Sequence, residues 1–540
     1  MTFCKYLGVA ILCLATAVSG LSAATGDIET AFPAPDRCPT GLTFDGKNLW
    51  LADRKSDSLY QIDPDNGGVI KTIDAPGYHV AGLTFDSRYL WVLDLEENLV
   101  FQMDTETGVN IKTIAVPCDN PRGLAWDGEY LWVADYRADR LYQISTEDGT
   151  TIRDFASPHG NPAGLSYDGT YLWVSDRIKD MIYMVDPATG RVILAFDAPG
   201  KYARGLAWDG EYLWNTDYQT DSLYKIKITD TTLYSRKEPR SQELEFSNQF
   251  RNYGPGVVTE VDIYLALPRD LPNQVLLDTL SFSPPPTDFV TDQWDQKMAH
   301  YRYENVAPGD IVTVAMTARA ELYQTRFFIF PDRVGNLDNI PADINKMYLV
   351  DGSKYWIDDP TIANAVATVI GDETNCYRIA RRLFDYLIDQ MEYELSGGWN
   401  VAPTVLARGN GSCSEYSFVY IALCRAAGLP ARYAGSVAVR GDDASTDQVF
   451  HRWVEVYLPN YGWIPVDPSG GDQSRPADQA RYFGFLDNRF LITTIGGGGS
   501  TFMEWSYNSN EIWQSRGKCK IHSEHIGEWS PLPDIDISDD

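Results

Sequence analysis

The sequence predicts a multidomain protein in which an all-β five-bladed propeller is followed by a β-sandwich and then by an α+β domain. Three observations support this order. Tryptophans recur at a constant interval as far as residue 214, alternating apolar and polar residues follow to about residue 340, and a helical pattern begins after Asp351. The chain of 540 residues is long enough for several domains.

The repeated unit has the pattern of a propeller blade. Segments such as "GLTFDGKNLWLAD" and "GLAWDGEYLWVAD" occur five times, and their tryptophans are 41 residues apart: Trp50, Trp91, Trp132, Trp173 and Trp214. In the first unit, four runs separated by D-G or D-N-G turn signals are suited to strands: "GLTF", "NLWLAD", "SLYQID" and "VIKTID". Four strands in about 40 residues are typical of a propeller.

The last repeat lacks its fourth strand. It stops after "SLYKIKI", whereas "DIETAFPAP" before the first repeat resembles the absent strand. We therefore predict that residues 25–230 form a ring of five blades that the N-terminal strand closes, which also protects the sheet edges. The tryptophans are expected to pack between the blades.

An aspartate ends the second strand of every repeat: Asp53, Asp94, Asp135, Asp176 and Asp217. One interpretation is a collar that binds a cation or another ligand at one mouth of the ring. The other is turn chemistry, in which each carboxylate accepts backbone N–H groups where the strand ends. We favour the second, because a motif present in every repeat is more often structural.

The N-terminal residues predict export. Residues 1–24 resemble a signal peptide, with Lys5, the apolar run "YLGVAILCLATAV" and small residues before a cleavage site near Ala23 or Ala24. We expect a secreted, periplasmic or cell-surface protein with no membrane span after removal of the signal peptide. Residues 231–350 alternate as a small antiparallel β-sandwich would, and residues 511–540 are expected to be a C-terminal extension.

The composition argues against several classes of partner. Lys and Arg number 45 against 75 Asp and Glu, a net charge of -30, so nucleic acid is not expected to bind. The spacing of the cysteines and histidines matches no zinc pattern, and we expect neither a metal nor another cofactor.

Residues 351–510 carry the candidate chemistry. An apolar helix is predicted from Cys413 to Ala427, directly after the glycine-containing turn "RGNGS". A helix N-terminus favours thiolate over thiol, and its free N–H groups can stabilise an oxyanion. A base and an orienting acid are also needed. His451 begins an alternating strand, and a second strand after the turn "PNYG" ends at Asp467, so the two side chains are expected near the same end of a hairpin.

The segments "GNGSCSEYSFVYIALCRAAGLPARYAGSV" and "HRWVEVYLPNYGWIPVDPS" resemble the core of the transglutaminase-like superfamily, which has a papain-like fold. The resemblance implies that Cys413 is the nucleophile, His451 the base and Asp467 the orienting acid. It also suggests Trp399 and Asn410 as candidates for a further oxyanion donor. Arg452 stands where many members carry a small residue, and we expect it to alter the substrate cleft while leaving the triad intact.

The sequence therefore predicts an exported thiol enzyme that acts on peptide or glutamine-type amides through an acyl-thioester. Transfer to water would make it a peptidase or amidase, and transfer to an amine would make it a cross-linking transglutaminase. The expected partner is a protein or peptide substrate, and a glycan or cell-surface ligand is a further candidate for the propeller. The alternative is a binding or adhesion protein whose transglutaminase-like part is inactive.

Overall fold

In the computed structural model, residues 24–229, 231–395 and 398–532 are described. Residues 1–23, which hold nearly all of the predicted signal peptide, lie outside them, as do residues 533–540. Twenty short strands come first: β1 (Ile28–Pro33); β2 (Pro39–Phe44), β3 (Leu49–Asp53), β4 (Ser58–Ile62), β5 (Val69–Asp74); β6 (Val80–Phe85), β7 (Leu90–Asp94), β8 (Leu99–Met103), β9 (Asn110–Ala115); β10 (Pro121–Trp126), β11 (Leu131–Asp135), β12 (Arg140–Ile144), β13 (Thr151–Ala156); β14 (Pro162–Tyr167), β15 (Leu172–Asp176), β16 (Met181–Val185), β17 (Val192–Asp197); β18 (Ala203–Trp208), β19 (Tyr212–Asp217) and β20 (Ser222–Lys227).

These strands form five four-stranded antiparallel sheets that resemble propeller blades, and we call them together the ring of sheets. Four sheets are built from consecutive strands. In the fifth, β1 pairs with β20, so the N-terminal strand completes the last sheet as predicted. Each repeat tryptophan is buried and donates its indole N–H to the aspartate five residues before it, as Trp50 does to Asp45 at 2.8 Å.

Close backbone contacts join the sheets into a closed circle. A Cβ added to Gly82 would lie 2.8 Å from the backbone nitrogen of Leu124 in the next sheet. A Cβ on Gly205 would lie 2.6 Å from the backbone nitrogen of Leu42, so the fifth sheet meets the first. Only glycine allows the innermost strands to approach this closely.

Gly123→Ala is expected to destabilise the ring, because its Cβ would lie 2.8 Å from the backbone of Ala163 and Leu165, which cannot move aside easily. Overpacking of this kind lowers the free energy of unfolding by about 1–3 kcal/mol. Thermal unfolding followed by circular dichroism measures the loss. In the control Gly68→Ala, the new Cβ would meet mainly the flexible side chain of Asn66, and an equal loss there would contradict the explanation.

The repeat aspartates are engaged in turns. Asp53 accepts the backbone N–H groups of Lys55 and Ser56 on Oδ1, at 2.8 and 3.0 Å, and that of Cys38 on Oδ2 at 2.7 Å. The same bonds recur at three further positions: Asp94, Asp135 and Asp217. These contacts support the turn interpretation over a ligand collar.

Asp176 departs from this pattern. Its Oδ1 makes the turn bonds, but its Oδ2 is buried without a hydrogen-bond partner and lies 3.6 Å from Nδ1 of His159. Burial raises the pKa of Asp176 to about 6. Nε2 of His159 lies 2.8 Å from a guanidinium nitrogen of Arg475, so the fourth sheet contacts the C-terminal part of the chain at this rim.

The rest of the chain contains longer strands and the helices. The strands are β21 (Tyr234–Ala266), β22 (Gln274–Leu276), β23 (Ser281–Ser283), β24 (Asp288–Thr291), β25 (Lys297–Val306), β26 (Ile311–Phe327), β27 (Glu392–Tyr393), β28 (Asn410–Gly411), β29 (Ala431–Ala438), β30 (Ser445–Asp447), β31 (His451–Leu458), β32 (Gly462–Val466), β33 (Phe485–Leu486), β34 (Phe490–Gly496) and β35 (Ser509–Pro531). The helices are α1 (Ala342–Tyr348), α2 (Pro360–Ile370), α3 (Cys376–Gln390), α4 (Ala402–Arg408), α5 (Cys413–Ala426) and α6 (Pro476–Ala480), with 3-10 turns at Pro331–Arg333 and Leu337–Asn339.

The middle of the chain is one nine-stranded hydrogen-bonded sheet around β21, which pairs with β25, β26 and β35. The predicted C-terminal extension is corrected here, because residues 509–531 are a strand of this sheet. Cys519 and Ile521 pack against its core, and Trp529 is buried within it. Cys519 and Ile521 are two residues apart, so they point to the same face of the strand. The two layers of a sandwich stay a prediction.

Residues 351–510, which were predicted to be α+β, contain both helices and strands. Strands β32, β31, β29 and β34 form an antiparallel sheet, and α5 packs against β29 and β31. The helix α5 is buried almost throughout, and Cys376 and Cys424 lie in the core around it. Across the described residues, no helix is both long and apolar enough to cross a membrane.

Candidate active site

Cys413 is the first residue of α5. The preceding helix α4 ends at Gly409, whose left-handed conformation (φ 77°) reverses the chain and places Cys413 at the start of the next helix. The side chain is 8% exposed, so the thiol lies just beneath the surface. The first backbone N–H groups of α5 have no acceptor within the helix backbone, and they lie in the same turn as the thiol.

His451 and Asp467 meet at the open end of the β31–β32 hairpin. Val454 is opposite Val466 in the register, and Nε2 of His451 lies 2.7 Å from Oδ2 of Asp467. The thiol of Cys413 lies close enough to the imidazole for each group to shift the pKa of the other. Because Asp467 engages Nε2, Nδ1 is the ring nitrogen left for the thiol. The structure therefore brings together the three residues that the sequence singled out.

Asp467 is held on both oxygens. While Oδ2 faces His451, Oδ1 accepts the hydroxyl of Ser469 at 2.7 Å and the backbone N–H groups of Ser469 and Gly470 at 3.1 Å. These bonds fix the orientation of the carboxylate beside the imidazole. Ser469 was not among the predicted site residues, although the "DPS" turn directly after the strand was the available signal.

A strained turn aims His451. Phe450, the residue before it, has a left-handed backbone (φ 59°), which costs a non-glycine residue about 1–2 kcal/mol. Oδ1 of Asp447 offsets this cost by accepting the N–H groups of Val449 and Phe450 at 3.1 and 2.9 Å. Arg440 donates to the same carboxylate and to the Phe450 carbonyl.

The electrostatics favour a thiolate–imidazolium pair. Burial alone would raise the pKa of Cys413, but the hydrogen bond and charge of His451, with the backbone N–H of Arg452, lower it. Burial opposes the charged form of His451, but the charge and hydrogen bond of Asp467, followed by those of Cys413, raise its pKa well above the ordinary value. The ion pair therefore exists at pH values above the lowered pKa of the thiol and below the raised pKa of the imidazole.

Glu415 organises the first turn of the helix and was missed by the sequence analysis. It is fully buried and pairs with Arg408 at 2.8 Å. It also accepts the backbone and side-chain N–H groups of Asn400, at 3.2 and 3.1 Å, and completes a capping box with Ser412. The signal was the S-x-x-E pattern in "SCSE".

The two predicted oxyanion donors lie near the helix start. The side-chain amide of Asn410 donates to Glu394 at 2.9 Å, and its oxygen accepts from Arg408. Trp399 is 41% exposed, and its ring lies edge-on to that of Phe418. Neither side chain is shown bonded to the thiol or the imidazole, and their role stays a prediction.

The side chain of Arg452 is buried behind the site, and its expected effect on the substrate cleft stays a prediction. Adjacent residues of a strand point to opposite faces, so the Arg452 side chain faces away from His451 and is fully buried. Its guanidinium lies 4.4 and 4.3 Å from the ring centres of Tyr433 and Tyr507 and donates to the Trp505 carbonyl. What reaches the site is its backbone N–H.

A cavity of about 200 Å³ adjoins the imidazole and the carboxylate. Its walls include Trp453, Tyr482 and Phe490, and the ring of His451 stacks on Phe490 with centres 5.5 Å apart. Within the described ranges, no group of three or more His, Cys, Asp or Glu side chains is arranged to hold a metal ion.

A comparison with known protein families finds a match in this region. Residues 363–468 match the model of the transglutaminase-like superfamily. The chain is 25% identical over 174 residues to an uncharacterized protein of Haemophilus influenzae, covering 27% of this chain and 47% of that protein. It is 34% identical over 71 residues to the uncharacterized protein YebA of Bacillus subtilis, covering 11% of this chain and 10% of that protein. The chain thus spans less than half the length of these relatives.

Three solved structures are similar to parts of this chain. A candidate cysteine protease from Cytophaga hutchinsonii is 14% identical and covers 56% of this chain and 100% of its own, with a TM-score of 0.38. Myxococcus xanthus glutaminyl cyclase (16%, 37% and 95%, TM-score 0.34) and Staphylococcus aureus virginiamycin B lyase (18%, 37% and 69%, TM-score 0.26) are further neighbours. Together with the family match, the geometry leads to one conclusion: residues 363–468 of this chain form a transglutaminase-like domain, and Cys413, His451 and Asp467 lie within it.

Proposed function

We propose that this protein is an exported thiol enzyme that transfers acyl groups from peptide or glutamine-type amides. The observation that carries the proposal is the position of His451, which hydrogen-bonds the Asp467 carboxylate at 2.7 Å and lies close enough to the Cys413 thiol to lower its pKa. The transglutaminase-like domain supports a catalytic role in general, and this arrangement supports thiol chemistry in particular.

The first half-reaction forms an acyl-thioester. The Cys413 thiolate adds to the amide carbonyl carbon, and the resulting oxyanion is stabilised by backbone N–H groups at the start of α5. The carbon–nitrogen bond then breaks, and the imidazolium of His451 gives its proton to the departing nitrogen. Asp467 holds the imidazole in the orientation that both steps need.

The second half-reaction regenerates the enzyme. His451 takes a proton from water or from a primary amine, which attacks the thioester carbon, and the carbon–sulfur bond breaks to return the thiolate. Water yields a carboxylic acid and an amine yields a new amide, so cleavage and cross-linking share the first half-reaction. Assays for released peptide and for incorporated amine separate the two outcomes.

We propose that the ring of sheets is a five-bladed propeller that binds the substrate or a surface component. The alternative without catalysis, a binding or adhesion protein, would be supported by an imidazole turned away from the thiol. His451 and Cys413 lie close enough for each to shift the pKa of the other, which favours the enzyme instead.

Alkylation by iodoacetamide tests the thiolate. Because its pKa is lowered, Cys413 is expected to react rapidly at about pH 6, where an ordinary thiol is almost fully protonated. Mass-spectrometric mapping compares Cys413 with Cys519, a partly exposed thiol of the same chain. His451→Ala is expected to slow the reaction at Cys413 alone. A Cys413 that reacts no faster than Cys519 would contradict the proposal.

A further inference from the structure

Four half-buried arginines lie at one mouth of the ring of sheets: Arg54, Arg122, Arg177 and Arg204. Arg54 and Arg177 directly follow the aspartates that end β3 and β15. Arg122 and Arg204 lie near the start of the innermost strands β10 and β18, and these strand starts pair with the aspartates that end β11 and β19. All four therefore lie at the aspartate end of the ring.

Their charges act on one another. The pKa of Arg204 is lowered to about 10. Burial is the largest cause, and the positive charges of Arg122, Arg177 and Arg54 add to it. Burial likewise lowers the pKa of Arg122, and Arg54 and Arg177 contribute in the same direction. The four side chains are thus close enough to repel one another across the mouth of the ring.

Tyrosine rings stand between the arginines. Tyr136 lies under both Arg122 and Arg177, with distances of 5.0 and 5.8 Å from the guanidinium carbon to the ring centre. Arg177 also lies over Tyr202 at 5.1 Å. Tyr218 packs edge-on against Tyr202 and lies 5.8 Å from Arg204. We call these four arginines and three tyrosines the basic mouth.

The arginines have no anionic partner. Among the described residues, no carboxylate oxygen lies within ion-pair distance of any of the four, and Nε of Arg204 is buried without a hydrogen-bond partner. Asp53, Asp135 and Asp217 direct their oxygens to backbone N–H groups instead. The unpartnered Oδ2 of Asp176 lies 3.6 Å from His159. The chain has a net charge of -30, yet these four neighbouring arginines have no carboxylate partner. We therefore expect them to bind an anionic group of another molecule.

We propose that the basic mouth binds an acidic peptide segment, whose carboxylates pair with the guanidinium groups and whose apolar atoms rest on the tyrosine rings. The choice of a peptide rests on the proposed function, since the transglutaminase-like domain would act on peptide amides. The position of the basic mouth agrees with a peptide ligand. His159 on the same rim contacts Arg475, and Arg475 lies only a short segment after Asp467 in the chain. The basic mouth would hold the acidic part of a substrate beside the domain that transforms another part.

The test is binding of a fluorescein-labelled hexaglutamate peptide to the full-length protein, followed by fluorescence anisotropy at low salt. Arg122→Gln and Arg204→Gln are each expected to weaken binding by about tenfold or more, because each removes charge-assisted hydrogen bonds. The matched control is Arg137→Gln, which removes the same charge from an exposed position on the same rim and is expected to change the affinity by less than about twofold. Arg122→Lys keeps the charge and is expected to lose less than Arg122→Gln.

Several results would overturn the proposal. Absence of peptide binding to the wild-type protein at low salt would do so, as would equal losses in Arg122→Gln and Arg137→Gln. Binding of an oligogalacturonate without binding of the peptide would assign the basic mouth to an anionic glycan instead. Labelling of Cys413 by iodoacetamide does not depend on the basic mouth, so rapid labelling in Arg122→Gln separates failure of this inference from failure of the proposed thiol chemistry.

Discussion

Replacement of Cys413 by alanine is expected to abolish acyl transfer, with a loss in kcat of about four to six orders of magnitude. The sulfur of the thiolate is the atom that forms the acyl bond, and Cys424 cannot replace it, because it lies eleven residues further along the same helix in the core. The measurement is ammonia release from a glutamine-containing peptide, together with the mass of the intact protein after rapid acid quenching. Only the wild-type protein should carry the acyl adduct.

The matched control is Cys424→Ala, which removes a thiol from the same helix. Burial raises the pKa of Cys424 strongly, so this thiol is protonated and inert, and its replacement is expected to leave kcat unchanged. Both variants remove one sulfur atom, and circular dichroism checks that both remain folded. Full activity in Cys413→Ala, or loss of activity only in Cys424→Ala, would contradict the assignment of the nucleophile.

The strands of the ring of sheets could be predicted one by one, because every repeat contains residues that form the turns between its strands. The turn at Asp45 and Gly46 precedes β3, and the aspartate at the end of that strand begins the next turn. Such local signals require no knowledge of distant contacts. The start of α5 at Cys413 was predictable for the same reason, since glycine and a capping serine mark a helix N-terminus.

Long-range contacts were beyond the sequence. Strand β35 pairs with β21, more than 200 residues earlier in the chain, and its alternation alone does not name that partner. The contact of His451 with Asp467 depends on the hairpin register, which the turn at Asn460 (φ 72°) determines. The basic mouth draws its arginines from two different positions of the repeat, and they converge only when the ring closes.

Asp467→Asn is expected to lower kcat/KM by about two to four orders of magnitude, although it changes a single atom. Oδ1 of Asp467 accepts two backbone N–H groups and a hydroxyl. An asparagine would place its oxygen there, which leaves its NH₂ group facing Nε2 of His451. The imidazole would then carry its proton on Nδ1, and this nitrogen could no longer accept the proton of the thiol.

The pH dependence provides the sharper test of the same variant. In the wild-type protein, activity should rise with pH through the lowered pKa of Cys413 and fall through the raised pKa of His451. Loss of the Asp467 charge removes the largest cause that raises the His451 pKa, so the falling limb of kcat/KM is expected to move to lower pH. Asp478→Asn removes the same charge from α6 and should move neither limb. A falling limb unchanged in Asp467→Asn would mean that His451 is not the group whose protonation holds the thiolate.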